Sequence, residues 1–291
     1  MDMKTLDCIY LDRGENIQCT ISRFGANIIS WVVHGVEQLF CSRKTVYDNL
    51  KAINGGIMLI FPNYGYWSLG PSNGFANLMN WKIYKDPVKL PTGDIQVILE
   101  LEQCQVSDTI WNFSFNIRYT ITLLEKEIEL DFSITNLSPY SFYFEFLFSN
   151  HIRVPDIRNC KIQGLENSRI MGHTNGIYMH KQEEDEVEID GEYLKVFVGT
   201  GDKIKVTNVM ADVDMMLEKT NLPDTILQSP WEEKAKTRED FCADEWNKML
   251  ILEVGHKYKP LRLFPNENFE SLMKLSVKSE EDRNSFVIRF Y

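Results

Sequence analysis

The sequence predicts an all-β fold, a large antiparallel β-sandwich, and three observations carry that expectation. Apolar residues alternate with polar ones through several long segments, the period of a strand with one buried face. Turn-like tetrapeptides, LPTG and LEKE, separate three of these segments, as in a meander of adjacent strands. Segments with a helical period are scarce, and nothing recurs at a solenoid period. Two packed sheets are the usual way for many such strands to bury their apolar faces.

The elements follow in chain order. In DIQVILEL, residues Ile95, Val97, Leu99 and Leu101 share one parity. WNFSFNIRYTITL repeats the pattern from Trp111 through Phe113, Phe115, Ile117, Tyr119 and Ile121 to Leu123, and IELDFSI repeats it with Ile128, Leu130, Phe132 and Ile134. FYFEFLFSNHIRV is longer and more continuously apolar, which predicts a central strand covered on both faces. The acidic run KQEEDEVEIDGE lacks the regular oxygen-ligand spacing of a calcium loop and reads as a solvated loop. EEKAKTREDFCADEWNKM is the best helical candidate, and its charge reads as a surface helix or loop rather than core.

No composition break marks a linker, so residues 1–291 read as one domain; all-β domains of this size are common. Hydrophobic residues make up 44% and charged residues 25%, enough apolar material for a sizeable core and too much for a disordered chain. No stretch approaches the roughly 18 apolar residues of a membrane span, and the first residues lack a signal-peptide run. A cytoplasmic protein is expected. Six scattered cysteines without a CxxC pair predict reduced thiols rather than a zinc site or a disulfide framework. A net charge of −11 opposes nucleic acid and anionic membranes as partners, since both need clustered Lys and Arg.

Seven blocks then occur in one order. They are FGANIISWVVHGVEQLFCS, KAINGGIMLIFPNYG, SNGFANLMNW, LFSNHIRVPDI, EIDGEY, LPDTILQSPWEEKAK and MLILEVGH. Together they resemble the hexose-6-phosphate 1-epimerase branch (glucose-6-phosphate 1-epimerases) of the aldose 1-epimerase, or galactose-mutarotase-like, superfamily. The resemblance implies that superfamily's large β-sandwich, no cofactor and no metal, and a small carbohydrate or sugar phosphate as partner. It implies mutarotation, in which a base takes the proton of the anomeric hydroxyl, an acid protonates the ring oxygen, and the ring opens and recloses. A glutamate base, a histidine acid with a second histidine, and phosphate-binding arginines are implied for the site.

Carried over by position, the glutamate is Glu253. The acid histidine falls on Ser149, which cannot exchange a proton near neutral pH as imidazole does. His151 lies two residues on, on the same strand face but displaced by roughly 6–7 Å, a poor substitute where errors of about 1 Å matter. The second histidine falls on Asn73, and the two arginines fall on Asn54 and Asn77. Asn63 and Met58 replace other site-block residues, while Asp190 is kept at a sugar-contacting position. Arg153 and Lys234 remain as cations. The expectation is therefore a carbohydrate pocket lined by Asn54, Asn63, Asn73, Asn77, Ser149, Asp190 and Glu253, with catalysis impaired. A working epimerase using Glu253 with His151 or a water, and an interaction protein without a small ligand, are the alternatives.

Overall fold

Each alternating strand has one apolar face to bury, and the chain buries these faces between two antiparallel sheets. A computed structural model describes residues 7–172, 178–210 and 213–279. The first sheet begins with β1 (Cys8–Gly14), β2 (Ile17–Ser22), β3 (Asn27–Val33), the short β4 (Val36–Glu37) and β5 (Ile57–Ile60). The chain crosses to the second sheet for β6 (Lys82–Lys89), β7 (Ile95–Glu102), β8 (Phe115–Leu123) and β9 (Glu127–Asn136), then returns through β10 (Phe142–Arg153). It continues through β11 (Lys161–Gln163), β12 (Arg169–Gly172), β13 (Tyr178–Lys181), β14 (Glu186–Glu188), β15 (Tyr193–Val198), β16 (Lys203–Met210) and β17 (Val213–Thr220). β18 (Asp224–Ser229), β19 (Met249–Leu263) and β20 (Asn268–Ser279) complete it.

Among the described residues the first sheet has eleven strands in the order β1-β2-β3-β5-β10-β19-β18-β15-β12-β13, with β4 on β3. The second has nine, in the order β14-β11-β16-β17-β20-β9-β8-β7-β6. The expected meander is β7-β8-β9, paired antiparallel throughout. The apolar segment 142–153 is central as expected, with β5 on one side and β19 on the other. Its even-numbered residues Phe142, Phe144, Phe146, Phe148 and Ile152 enter the inter-sheet core. There Phe146 stacks on Phe132 of β9, with ring centroids 3.7 Å apart and an interplanar angle of 16°.

Three local expectations are corrected. The strand beginning at Trp111 starts only at Phe115, because a helix, α1 (Gln105–Ile110), precedes it and Trp111 closes that helix through its N–H to the Ser107 carbonyl. Trp111 and Phe113 alternate like strand residues because they pack edge-on in an aromatic cluster with Phe61 and Phe142. The segment 232–249, expected as a surface helix or loop, holds α2 (Trp231–Thr237) and a single turn at Ala243–Glu245. Phe241 is instead buried with Phe40 and Ile251. The acidic run is not all loop, since Glu186–Glu188 forms edge strand β14 against β11, where Glu186 accepts from Lys161 and Gln163 at 2.7 Å each.

The Phe132 and Phe146 stack joins the two sheets at full burial. Phe132→Ala is predicted to lower unfolding free energy by about 3–5 kcal/mol, whereas Tyr143→Ala on exposed β10 surface shifts it by less than about 0.5 kcal/mol. Urea unfolding of both variants checks the contrast.

Candidate functional site

The odd-numbered residues of β10 point away from the inter-sheet core, and one cross-strand level of that face gathers the site. Ser149 lies between Met58 of β5 and Glu253 of β19. The level continues from Glu253 to Ile226, Val196 and Met171 on β18, β15 and β12. Of these six residues only Ser149 and Glu253 are polar, and both are buried, at 2% and 4% exposure. The Ser149 hydroxyl donates to Glu253 Oε1 at 2.7 Å. Glu253 Oε2 has no geometrically defined hydrogen-bond partner, and the Tyr64 phenol beside the carboxyl favours its ionisation. Burial pushes the Glu253 pKa up to about 7, against the opposing pull of Ser149 and Tyr64. Tyr64 is itself raised, first by burial and then by the Glu253 charge.

His151 stands one step further along the face, paired with Ile251 rather than Glu253. It is buried, its Nδ1 has no partner, and burial with the nearby Arg238 lowers its pKa to about 4. At neutral pH it is uncharged. Asp240, which pulls the other way on His151, accepts from the Asn54 carboxamide at 2.5 Å. Burial opposes the ionisation of Asp240, but Asn54 and Arg238 outweigh it and hold the carboxyl below its ordinary range. A cavity of about 310 Å³ lies here, lined by Val46, Lys51, Ala52, Asn54, Glu239 and Asp240.

The other expected residues are dispersed. The Asn63 carboxamide donates to the carbonyls of Tyr64, Gly65 and Tyr66 at 3.2, 3.3 and 3.2 Å. Asn73, at φ +65°, accepts from the Gly65 N–H at 2.7 Å. These two side chains therefore knit their own loop. Asn77 is buried with its carbonyl oxygen unpaired, in a turn packed on the Gly25 backbone. Asp190 is exposed just beyond β14. Of the two remaining cations, Lys234 pairs with Glu192, and Arg153 donates to the Leu39 carbonyl at 3.2 Å above the Phe40 ring.

Sequence reasoning missed the far end of the face. Phe144 pairs with Leu261 and Phe146 with His256, so the four residues Lys257–Pro260 of β19 stand opposite the single residue Glu145. This bulge leaves backbone N–H groups off the ladder, and buried Asp224 takes two of them, from Lys257 at 2.9 Å and Tyr258 at 2.7 Å. Glu145 joins the bulge to the Tyr64 loop, accepting from Lys257 Nζ at 2.8 Å and from the Tyr64 N–H at 2.7 Å. A cavity of about 400 Å³ opens between them, lined by Tyr64, Met171, Leu194, Val196, Tyr258 and Pro260 with the Glu145 and Lys257 pair. Pro260, which cannot donate to a ladder, was the one signal of irregularity in an otherwise strand-like segment.

The profile of the family described as aldose 1-epimerase matches residues 7–276. A protein of Cenchrus ciliaris that carries the provisional name of glucose-6-phosphate 1-epimerase is 28% identical over 279 residues, 94% of this chain and 85% of its own. An Escherichia coli K12 protein of the same provisional name is 26% identical over 163 residues, 55% of this chain and 53% of its own. Among solved structures, a provisionally named mutarotase from Salmonella typhimurium superposes with a TM-score of 0.86 at 17% identity, over 96% of this chain and 92% of that one. These structural likenesses show the fold, a galactose-mutarotase-like sandwich.

The buried carboxyl predicts a pH signature. A folded pKa near 7 against an ordinary 4.5 means that the folded state holds the proton more tightly. The associated stability is complete below about pH 4.5 and is lost as pH rises through 7, on the order of 3 kcal/mol at full effect. His151, depressed to about 4, acts oppositely, its contribution being present above the ordinary histidine range and lost as pH falls through 4. Glu253→Gln is therefore predicted to unfold at higher urea than the wild type at pH 8 and at nearly equal urea at pH 4.5. Equal midpoints at both values would show that Glu253 is not held in this environment.

Proposed function

This chain belongs to the aldose 1-epimerase family, and on that premise we propose that its cleft holds a carbohydrate at Glu253 without efficient anomer interconversion. One observation carries the reading. At the pair of positions where the family resemblance implies histidine and glutamate, the Ser149 hydroxyl donates to Glu253 Oε1 at 2.7 Å. A serine hydroxyl has no proton to release near neutral pH, and here it is turned to the carboxyl rather than to a ring oxygen. His151 offers no acid in its place, since a buried imidazole with a pKa near 4 is neutral where the reaction would run. A base without an acid can take the anomeric proton but leaves the ring oxygen to open as an unprotonated alkoxide.

The ligand is read as a neutral sugar rather than a sugar phosphate. Asn54 and Asn77 stand where the family resemblance implies arginines, and Asn54 is bonded to the Asp240 carboxylate, a like charge for a phosphate. With a net charge of −11, the chain supplies no compensating field. We take the chain as one domain, with a core cluster running from Ile9 to Val277. Its six unpaired cysteines suit a reducing, cytoplasmic setting.

A second reading, a working glucose-6-phosphate 1-epimerase, is favoured by one feature, the Glu253 pKa of about 7, which is well matched to a general base. Anomer exchange measured by NMR with glucose, galactose and glucose 6-phosphate separates the two. We predict exchange at the buffer rate with all three, line broadening with a neutral sugar but not with the phosphate, and measurable acceleration on Ser149→His. Acceleration by the wild type that disappears in Glu253→Gln would instead establish the working epimerase.

A further inference from the structure

We propose that the cavity of about 400 Å³ beside Tyr64 is a subsite for an apolar aglycone, so that the ligand is a glycoside rather than a free sugar. The inference rests on the reading that Glu253 meets the anomeric centre. Tyr64 is the link. Its ring lines the cavity and its phenol lies beside Glu253, so a substituent on C1 of a sugar held at Glu253 is the part of the ligand nearest the cavity mouth.

The chemistry of the walls selects the class. On the level of Glu253 the sheet presents Ile226, Val196 and Met171 in succession, and the cavity adds Leu194, Tyr258 and Pro260. A second sugar ring placed there would leave most of its hydroxyls unpaired against aliphatic side chains, at a cost for each one. An aryl or alkyl group gains from the same contacts. The charged feature, the Glu145 and Lys257 pair, is already committed: Lys257 Nζ donates to Glu145 at 2.8 Å, and Glu145 also accepts from the Tyr64 backbone. Lys257 sits above the Tyr64 ring, with Nζ 5.2 Å from its centroid, so its charge is spent within the protein.

The cavity is built by the fold rather than left over. Its wall is the bulge Lys257–Pro260, opposite the single residue Glu145, and Asp224, 2% exposed, holds that bulge through the Lys257 and Tyr258 N–H groups. Glu253 Oε2, buried and without a hydrogen-bond partner, leaves one acceptor next to Tyr64 for a sugar hydroxyl. A glycoside has no free anomeric hydroxyl and cannot mutarotate, which agrees with an acid position occupied by Ser149.

Calorimetric titration of the full chain with p-nitrophenyl and methyl β-glucosides and β-galactosides tests the proposal. For the sugar that binds, the aryl glycoside is expected to bind at least about tenfold tighter than the methyl glycoside. Leu194→Asp, at a position 60% exposed where folding is not at risk, and Pro260→Asp, also exposed, are each expected to shrink that preference to about twofold while leaving methyl glycoside binding in place. Equal affinity for the two glycosides, an undiminished preference in both variants, or p-nitrophenol alone binding as tightly as the aryl glycoside would each overturn the aglycone subsite. Equal binding of both glycosides removes this subsite and leaves the carbohydrate reading standing; binding of neither removes both.

Discussion

Strand β10 is the constraint on which the rest of the molecule depends. It is hydrogen-bonded on both edges, to β5 and β19, and buried on both faces from Phe146 to Ile152. Because strand side chains alternate strictly, its phenylalanines enter the inter-sheet core while Glu145, Leu147, Ser149 and His151 point to the opposite face of the sheet. A slip of one residue would exchange the two sets, placing Glu145 and Ser149 among aromatic rings and Phe146 and Phe148 on that opposite face. The aromatic packing that stabilises the sandwich thus also sets the position of Ser149 opposite Glu253, and core and site are two consequences of one register.

Desolvation then decides the chemistry of that face. Glu253 and His151 are both buried and shift in opposite directions, each toward its neutral form, as burial requires. A charged pair on this face would have been an acid and base ready to work. Instead the carboxyl shares a hydrogen bond with a serine, and the imidazole is buried near Arg238 and Asp240. The few polar groups around them mainly serve the protein. Asn63 and Asn73 hold their loop, Asp224 and Glu145 hold the β19 bulge, and Asn54 pairs with Asp240. Two separate cavities result, a more polar one beside Asn54 and Asp240 and a more apolar one beside Tyr64.

Much of the architecture was legible in order along the chain. The alternation through Ile95–Leu101, Phe115–Leu123 and Ile128–Ile134 is local, and local periodicity is what a strand leaves in a sequence. Where periodicity had another cause the reading failed. Trp111 and Phe113 alternate because they join an aromatic cluster beside α1, and the helical charge pattern after Lys234 ends because Phe241 is drawn into a buried cluster with Phe40 and Ile251. Of the candidate site, Glu253 and Ser149 could be singled out only through the family resemblance. The uses of Asn63, Asn73 and Asn77 could not be read from it, since a carboxamide serves a loop or a ligand equally well and only its neighbours decide.

By itself the sequence determined an antiparallel β protein and its central apolar strand, because both are written in residue type and short-range spacing; which residues to look at for a site, Glu253, Ser149 and the asparagines at 54, 73 and 77, came from the family resemblance. Only the tertiary structure decided that Ser149 would bond Glu253 across 104 residues of chain, that Asp240 would take Asn54 across 186, and that Lys257–Pro260 would leave the ladder to wall a cavity with Tyr64. Those outcomes depend on which strands become neighbours and in what register. That is settled by the burial of every strand together, not by any one segment.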